Sequence, residues 1–252
     1  MTVVPDLSVV IPAYNEAQRL PRTLERILAY LDARAGSYEL VVVDDGSSDG
    51  TAERVRAVAG PRAVLVSNEA NRGKGYSVRR GMLRARGARR LMTDADLSTP
   101  IEELERLMAR MDEGYDIVIS SRALRGANIE VHQPWYRENL GRVFNLAVRL
   151  VVLPGLRDTQ CGFKLFTARA AVEAFSRARL DGFSFDVEAL FLARRAGLRV
   201  LEIPVTWRND AATRVDTWRG FIAFVDLLRI RGNALRGLYE EGARGPGNHD
   251  EG

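Results

Sequence analysis

Five short apolar runs recur along the first half of the chain, and stretches with the spacing of an amphipathic helix separate most of them. The runs are LSVVIP (7–12), ELVVVDD (39–45), AVLVSN (63–68), RRLMTD (89–94) and DIVISS (116–121). Continuous apolar runs of this length predict strands that are buried on both faces. Strands that alternate with helices predict an α/β fold with a parallel sheet covered by helices.

The second half is less regular. We predict a loop over residues 123–135 and a turn followed by an extended segment or strand over 158–166, with a late strand over 199–207. Helical spacing predicts helices over 138–153, 168–177, 186–196 and 216–241. No repeat or clear linker interrupts the chain, so we expect one domain over residues 1–241. The polar, glycine-rich residues 242–252 are expected to form a disordered tail.

Length and composition narrow the class of protein. The 252 residues are enough for a large α/β domain, and no apolar run approaches the roughly 18 residues of a membrane span. The start of the chain lacks the pattern of a signal peptide, and Cys161 is the only cysteine, so we expect a cytoplasmic protein without an internal disulfide. With only two histidines, any metal would be held by carboxylates.

Polar side chains cluster where each of the first four predicted strands ends. Ligands of open α/β sheets bind at the carboxyl ends of the strands, so these four clusters would share one rim. Turn formation explains any single cluster, but it explains four together poorly. The clusters are Pro12 with Tyr14, Asn15 and Glu16; Asp44 with Asp45 and Gly46; Asn71 to Gly75 around Lys74; and Asp94 with Asp96.

Asp94 and Asp96 are two carboxylates separated by one residue at the end of a buried strand. Two such charges repel each other unless a cation lies beside them. Mg²⁺ and Mn²⁺ prefer oxygen ligands and commonly bridge a carboxylate to substrate phosphates. The pair therefore predicts a divalent metal and a diphosphate-bearing ligand at this rim.

Several motifs resemble a known family. VVIPAYNE, VVVDDGSSDGT, NRGKG and DADLSTP are similar to the nucleotide-sugar half of the family 2 inverting glycosyltransferases, which have a GT-A fold. The later blocks QPWYRENLGRVFN, DTQCGFKLF, GFSFDVE and WRND resemble the branch of dolichyl- and polyprenyl-phosphate glucosyl- and mannosyltransferases. The resemblance spans residues 7–214. It implies a Rossmann-like, mostly parallel central sheet flanked by helices.

The resemblance divides the domain into parts with different tasks. It implies a nucleotide-sugar half over about 7–122, an acceptor half over about 123–215 and a C-terminal amphipathic helix over about 216–241. The implied nucleotide-sugar site contains Pro12, Tyr14, Glu16, Asp44, Asp45, Lys74, Asp94 and Asp96. Asp96 would be the main ligand of Mg²⁺ or Mn²⁺, and Asp94 would contact the ribose or the water shell of the metal. Asp44 or Asp45 would accept a hydrogen bond from the base.

The resemblance implies two catalytic residues, Asp96 as the metal ligand and Asp158, on the acceptor side, as the candidate base. A phosphate monoester has a second pKa near 6 and is already mostly a nucleophilic dianion at neutral pH. Asp158 could therefore position the sugar or the metal instead of removing a proton, and both roles stay open. Arg122, Arg137 and Arg214 match basic positions of lipid-phosphate transferases, and the planar guanidinium suits phosphate.

The expected reaction is transfer of glucose from UDP-glucose to a polyprenyl or dolichyl phosphate. GDP-mannose as the donor and a soluble acceptor remain open alternatives. The C-terminal helix could lie at the membrane interface or pack on the core. Related enzymes often add transmembrane helices after the catalytic domain, and this sequence does not. We therefore expect peripheral contact with the cytoplasmic face of a membrane, or a membrane-protein partner.

Two other classes of function are less consistent with the sequence. The net charge of +4 would suit nucleic acid, but the arginines are spread along the chain and no basic-aromatic binding motif is present, so no nucleic acid is expected as a partner. A sugar-binding scaffold without activity is disfavoured because Asp94, Asp96 and Asp158 are all present.

Overall fold

The computed structural model describes residues 4–132, 134–209 and 217–240, and their side chains except at residues 137 and 217–221. Within these ranges the strands are β1 (Leu7–Ala13), β2 (Tyr38–Asp44), β3 (Ala63–Ser67), β4 (Arg89–Thr93), β5 (Ile117–Ser121), β6 (Asn128–Val131), β7 (Phe163–Thr167), β8 (Val200–Pro204) and β9 (Thr206–Arg208). The helices are α1 (Leu20–Ala33), α2 (Thr51–Ala59), α3 (Lys74–Arg84), α4 (Leu104–Asp112), α5 (Trp135–Val151), α6 (Ala168–Phe175), α7 (Phe185–Arg195) and α8 (Thr217–Leu235).

Seven strands form one sheet in the order β3-β2-β1-β4-β7-β5-β8. The pairs β1–β2, β1–β4, β2–β3 and β5–β8 are parallel, which confirms the predicted mostly parallel sheet. β7 runs antiparallel between β4 and β5. Its register pairs Thr93 with Phe163, so the chain before β7 lies beside the end of β4. The predicted nucleotide-sugar and acceptor halves therefore share one sheet.

Two apolar layers cover the two faces of the sheet, because successive strand side chains point to opposite sides. In β1, Val10 belongs to one core cluster, whereas Val9 and Ile11 belong to the other. The first cluster includes residues of α3, α6 and α7, and the second includes residues of α1, α2 and α4. Burial on both faces explains why β1, β2 and β5 are mainly apolar runs. The predicted burial of the 63–68 run on both faces is wrong, because β3 lies at the edge of the sheet and is only partly buried.

The C-terminal helix α8 packs on the protein along one face. Leu227 and Ile230 are almost completely buried, and Phe224 makes an edge-to-face contact with Phe144 of α5 at a centroid distance of 5.3 Å. Beyond the helix, the Tyr239 hydroxyl donates to Glu188 Oε1 at 2.7 Å. These contacts fix α8 against α5 and α7, while other side chains of the same helix stay exposed.

Two sequence predictions for the second half need correction. The predicted loop over 123–135 contains β6, and the predicted strand over 199–207 is two strands, β8 and β9. β8 ends at Pro204, which has no N–H to donate, and the chain then pairs through β9 with β6 in a separate two-stranded sheet. Residues 242–252 lie outside the described part. None of the helices in the described ranges has the length and apolar character to cross a membrane.

Candidate active site at the carboxyl ends of the strands

A cleft of about 410 Å³ opens at the carboxyl ends of β1 and β4. All the predicted nucleotide-sugar residues line it except Asp44. It also contains residues that the sequence did not indicate, from the 182–184 segment and from α8. The lining includes Pro12, Tyr14, Glu16, Arg19, Asp45, Asn71, Lys74, Asp94, Asp96, Gly182, Phe183, Ser184, Ile222, Ala223 and Asp226.

The loop after β1 is held by the loop after β2. Asn15 has a positive φ of 55°, and its side chain accepts a hydrogen bond from the backbone of Ser48 at 3.0 Å. The backbone N–H of Glu16 donates to Thr51 Oγ1 at 2.8 Å, and that of Ala17 donates to Asp49 Oδ2 at 3.0 Å. Much of the DGSSDGT motif therefore has a structural task, which is to fix the loop that carries Tyr14 and Glu16.

The two aspartates after β2 differ in position. Asp44 is buried, accepts a hydrogen bond from the backbone of Ser47 at 3.2 Å and does not line the cleft. Asp45 lines the cleft, and its carboxylate accepts hydrogen bonds from the backbone of Arg72 at 3.0 Å and of Gly73 at 2.9 Å. Asp45 therefore anchors the NRGKG loop, and of the two only Asp45 faces a ligand space.

Two glycines let the loop around Lys74 pack against the segment before α7. A Cβ on Gly73 would lie 2.4 Å from the Asp181 carbonyl oxygen, and one on Gly75 would lie 2.5 Å from the Leu180 carbonyl oxygen. The Gly75 N–H also donates to the Asp181 carbonyl at 2.8 Å. The glycine pair thus brings the start of α3, and with it Lys74, to the rim of the sheet.

Lys74 and Asp94 form an ion pair in the cleft, with 2.7 Å between Nζ and Oδ1. Burial alone would lower the pKa of Lys74, but the charges of Asp94 and Asp186 outweigh this effect and hold the pKa above its ordinary value. Lys74 therefore stays positively charged at neutral pH. It gives the cleft a fixed cation beside the predicted metal ligands.

The DAD motif is shaped by its neighbours. The Asp94 N–H donates to the Gly162 carbonyl at 3.1 Å, and a Cβ on Gly162 would lie 1.9 Å from Asp94 Oδ2. Asp96 Oδ1 accepts from the Ser98 N–H at 3.0 Å, and Leu97 between them has a positive φ of 48°. The chain thus turns sharply after β4, which brings both carboxylates to the cleft.

A buried ion pair between Lys164 and Asp186 lies close to Lys74 and Asp94. Lys164 Nζ donates to Asp186 Oδ1 at 2.6 Å and to the Cys161 carbonyl oxygen at 2.6 Å, and both charged side chains are nearly inaccessible to water. Burial raises the pKa of Asp186 despite the charges of Lys164 and Lys74. The sequence prediction missed this pair because Lys164 and Asp186 are distant in sequence and each suits an exposed position.

A second cavity of about 690 Å³ adjoins the cleft. The two cavities share five lining residues, namely Lys74, Asp94, Asp96, Phe183 and Ala223. Most of the rest of the second cavity comes from the predicted acceptor half, which contains α5, and includes His132, Tyr136, Arg142, Asn145, Asp158, Gln160 and Trp207. Thr93, Ser98, Thr99 and Arg122 come from the predicted nucleotide-sugar half, and Phe224 comes from α8. Two ligands could therefore meet at the DAD motif from opposite sides.

Arg122 and Asp158 form a bidentate ion pair in this second cavity. Arg122 donates through Nε to Asp158 Oδ2 at 2.7 Å and through Nη2 to Oδ1 at 2.9 Å. Burial alone would raise the pKa of Asp158, but the charge and hydrogen bonds of Arg122 hold it below its ordinary value. The guanidinium also lies over the Trp207 ring, 5.3 Å from its centroid.

The other two predicted acceptor arginines are only partly placed. The backbone of Arg137 lies in the first turn of α5, and its side chain is outside the described part, as is the whole of Arg214. Arg142, one turn further along α5, lines the second cavity and is exposed. The sequence analysis did not select Arg142, although its place within the QPWYRENLGRVFN block could have indicated it.

A divalent metal would depend on two carboxylates here. Among the described residues, no group of three or more His, Cys, Asp or Glu side chains could hold a metal ion. Asp94 and Asp96 could supply two oxygen ligands, and the remaining positions would fall to ligand phosphates and water, as is usual for Mg²⁺ and Mn²⁺. The residues present therefore suit a metal that binds together with a diphosphate.

Comparisons with known proteins show what the whole chain is similar to. The family model described as Glycosyl transferase family 2 matches residues 8–175. The dolichyl-phosphate beta-glucosyltransferase of Dictyostelium discoideum is 34% identical over 249 residues, covering 93% of this chain and 76% of that protein. The human protein of the same name is 34% identical over 249 residues, covering 92% and 77%. The Saccharomyces cerevisiae one is 32% identical over 256 residues, covering 93% and 77%.

Solved structures share the fold. The mannosyl-3-phosphoglycerate synthase of Rubrobacter xylanophilus gives a TM-score of 0.69 at 20% identity, covering 96% of this chain and 78% of that one. The glucosyl-3-phosphoglycerate synthase of Mycobacterium tuberculosis, crystallised with Mn²⁺ and UDP-glucose, gives 0.66 at 21% identity, covering 90% and 79%. These likenesses confirm the predicted GT-A fold.

Proposed function

The chain belongs to glycosyl transferase family 2, and from that premise we propose that it is an inverting transferase that moves glucose from UDP-glucose to a dolichyl or polyprenyl phosphate. The names of its relatives, the dolichyl-phosphate beta-glucosyltransferases, support glucose as the sugar and a lipid phosphate as the acceptor. The mostly parallel sheet supports a GT-A enzyme with the ligands at the carboxyl ends of its strands.

The observation that carries the proposal is the meeting of two cavities at Lys74, Asp94 and Asp96. Inverting transfer from a nucleotide sugar requires the acceptor to attack the anomeric carbon on the side opposite to the departing nucleoside diphosphate. The 410 Å³ cleft beside Tyr14 and Asp45, called the donor cleft below, would hold the nucleotide sugar. The 690 Å³ cavity, called the acceptor cavity, would hold the lipid phosphate.

Each donor-cleft residue has a proposed task. Pro12, Tyr14 and Glu16 would border the base and ribose, and Asp45 would face the base, since Asp44 is turned away from the cleft. Lys74 would hold a diphosphate oxygen, because its ammonium group remains charged in the cleft. Asp94 and Asp96 would hold Mg²⁺ or Mn²⁺, and a bound metal would stabilise negative charge on the departing diphosphate.

The reaction requires little help from a base. A phosphate oxygen of the acceptor attacks the anomeric carbon while the bond from that carbon to the UDP oxygen breaks, so the α-linked donor gives a β-linked product. A phosphate monoester is already mostly a dianion at neutral pH. We infer that Asp158, whose pKa is depressed by Arg122, positions that arginine for the acceptor phosphate. Within the described ranges Arg122 contacts Asp158 through Nε and Nη2, so its Nη1 group could donate to a phosphate oxygen.

A lipid acceptor requires contact with a membrane, and the paired helices α5 and α8 offer a suitable surface. They expose the apolar side chains Trp135, Leu140, Val143, Leu146, Leu150, Ile222, Val225 and Leu228. Arg142, Arg149, Arg229 and Arg231 are exposed on the same helices, whose acidic residues Glu138 and Asp226 are not exposed. An apolar stripe with arginines suits an anionic membrane surface. We propose peripheral docking at the cytoplasmic face through this α5–α8 surface.

A transfer assay tests the proposal. The protein would be mixed with Mn²⁺ or Mg²⁺, UDP-glucose or GDP-mannose, and a short polyprenyl phosphate in detergent, and the lipid product would be identified by mass. A metal-dependent glucosyl-phosphoryl lipid is expected from UDP-glucose. Asp96→Ala should abolish it, whereas Asp112→Ala, on the exposed face of α4, should not. A mannosyl lipid from GDP-mannose would show that the donor is GDP-mannose and not UDP-glucose. Donor hydrolysis without a lipid product would redirect the search to soluble acceptors.

A further inference from the structure

We propose that Asp226 of α8 accepts hydrogen bonds from hydroxyl groups of the transferred hexose and so helps to select the donor sugar. The proposal rests on the proposed function, because it assigns a residue to the donor cleft of that enzyme. Asp226 lies 51 positions beyond residue 175, where the match to the family model ends.

Asp226 is a buried carboxylate on the wall of the donor cleft. It is only 5% exposed, although aspartate is rarely buried without partners. Within the described ranges, Arg229 is the side chain that donates to it, from Nη1 to Oδ1 at 3.1 Å, and the Arg229 side chain is itself 60% exposed. A single partner that lies mostly in water compensates only in part for the burial of a carboxylate. The second oxygen, Oδ2, remains available to a ligand in the cleft.

The position of Asp226 along α8 points to the hexose end of the donor. Ala223 lines both the donor cleft and the acceptor cavity, whereas Asp226 lines the donor cleft alone. Residues three apart lie on the same helix face, about one turn or 5 Å along the axis. The transferred sugar must sit at the junction of the two cavities, so Asp226 lies one turn from it on the donor side.

The chemistry of the cleft also favours a sugar over a phosphate partner. Asp45 is occupied by the backbone of Arg72 and Gly73, and Asp94 by Lys74. A further carboxylate close to the diphosphate would repel it, whereas an ionised carboxylate is a strong acceptor for neutral hydroxyl groups. Epimeric hexoses differ in the direction of one hydroxyl, so a fixed carboxylate distinguishes them.

The helix is rigid enough for this task. Leu227 and Ile230, which follow Asp226 on α8, are almost completely buried, and Phe224, which precedes it, packs on Phe144. Beyond the helix, Arg179 donates through Nη2 to the Leu238 carbonyl at 2.7 Å, next to the buried Tyr239. Asp226 is thus held in place by packing on both sides of it, and a ligand would not need to order the helix.

Binding calorimetry in Mn²⁺ tests the assignment without requiring any acceptor. UDP, UDP-glucose, GDP and GDP-mannose would be titrated into wild type, Asp226→Asn, Asp226→Ala and the matched control Arg229→Ala. We expect both Asp226 variants to weaken binding of the preferred nucleotide sugar about tenfold, as expected for one charge-assisted hydrogen bond, and to change binding of its nucleoside diphosphate less than twofold. Arg229→Ala should leave both affinities within twofold of wild type.

The outcomes separate this proposal from the proposed function. A wild type that binds none of the four nucleotides would overturn both. A wild type that binds normally, with Asp226→Ala weakening the sugar nucleotide and the nucleoside diphosphate equally or neither, would overturn the assignment of Asp226 alone. An Arg229→Ala variant that copies Asp226→Ala would show that the ion pair supports the helix, and would also overturn it. Melting temperatures within a few degrees of wild type establish that the variants are folded.

Discussion

Arg122 grips Asp158 at both carboxylate oxygens, and its own backbone N–H adds a third hydrogen bond to Oδ2 at 2.9 Å. Asp158 is 1% exposed, so its carboxylate is almost completely shielded from water by Arg122 and the wall of the acceptor cavity. A carboxylate held in this way is a weak base, because Arg122 depresses its pKa. The relationship bears on both the chemistry and the stability of the protein.

The pH dependence of transfer should follow the acceptor and not Asp158. The depressed pKa keeps Asp158 ionised well below neutral pH. Its contribution to the stability of the fold is fully present above the pKa of an unfolded aspartate, near 3.9, and is lost as the pH falls through the lower pKa of the folded state. The acceptor phosphate dianion takes up one proton near pH 6, the second pKa of a phosphate monoester, so kcat/KM should fall below that pH. A phosphonate acceptor, with a higher second pKa, should move the limb upward. If the acidic limb of the kcat/KM profile stays at the same pH with the phosphonate, the titrating group belongs to the enzyme and not to the acceptor.

Asp158→Asn should destabilise the protein strongly, because it leaves the buried end of Arg122 without its counterion. Breaking a buried ion pair costs about 3–5 kcal/mol. The matched control is Asp112→Asn. Asp112 is 59% exposed and forms an ion pair with Arg89, with 2.6 Å between Oδ1 and Nη2. That change should cost less than about 1 kcal/mol. Urea denaturation of both variants measures the difference, and equal losses would contradict a special role for the Arg122–Asp158 pair.

Lys74→Met should change how metal and nucleotide bind. Lys74 Nζ lies 2.7 Å from Asp94 Oδ1, so in the free protein the ammonium group competes with a metal for that carboxylate. We expect wild type to bind Mn²⁺ weakly alone and more tightly with UDP. Lys74→Met should bind Mn²⁺ alone several-fold more tightly and UDP about tenfold more weakly. Titration of Mn²⁺ by electron paramagnetic resonance, with and without UDP, checks both, and Lys74→Arg is the charge-conserving control.

Gly162→Ala should disturb the DAD motif specifically. The added Cβ would lie 1.9 Å from Asp94 Oδ2 and 2.3 Å from its Cγ, so the carboxylate must move. We expect at least a tenfold loss of Mn²⁺-dependent UDP binding and a stability loss of about 1–3 kcal/mol, the usual cost of overpacking. Gly232→Ala in α8 meets nothing within 4 Å and should stabilise the helix by up to about 1 kcal/mol. Normal UDP binding by Gly162→Ala would contradict the close contact.

The first half of the fold could be predicted from local pattern alone. The ends of strands β1 to β5 match the predictions to within a residue or two. In β1, β2 and β5, burial on both faces leaves little alternation to misinterpret, whereas β3 at the sheet edge is only partly buried. The rim residues were also predictable, since parallel strands end at one edge. Asp44 is the exception: neighbouring residues at a strand end point to opposite sides, and only Asp45 faces the cleft.

The second half depends on contacts that no local pattern encodes. The insertion of β7 between β4 and β5 brings Gly162 against Asp94, across a sequence separation of 68 residues. The Lys164–Asp186 pair and the arrival of Asp226 at the donor cleft have the same origin. Gly162, Lys164 and Asp186 lie in the DTQCGFKLF and GFSFDVE blocks, but only the tertiary packing shows which neighbours each of them contacts. Asp226 lies in none of the quoted motifs.

Membrane docking is the prediction that most directly connects the α5–α8 surface to the reaction. Leu150 and Leu228 are 77% and 67% exposed on this surface, and a charge at either position would oppose insertion into the lipid interface. Leu150→Asp with Leu228→Asp should abolish sedimentation with anionic vesicles and reduce transfer to vesicle-embedded polyprenyl phosphate at least tenfold. UDP binding should not change, because neither residue lines the donor cleft.

The matched control is Val172→Asp, since Val172 is 45% exposed on α6, away from both cavities. It should sediment with vesicles as wild type does. High salt should weaken sedimentation of the wild type only in part, because the arginines are screened while the apolar side chains still insert. Full transfer by the double variant to a vesicle-embedded acceptor would exclude docking through α5 and α8. Loss of transfer with vesicles, together with normal transfer to a short detergent-soluble acceptor, would place the defect in docking and not in chemistry.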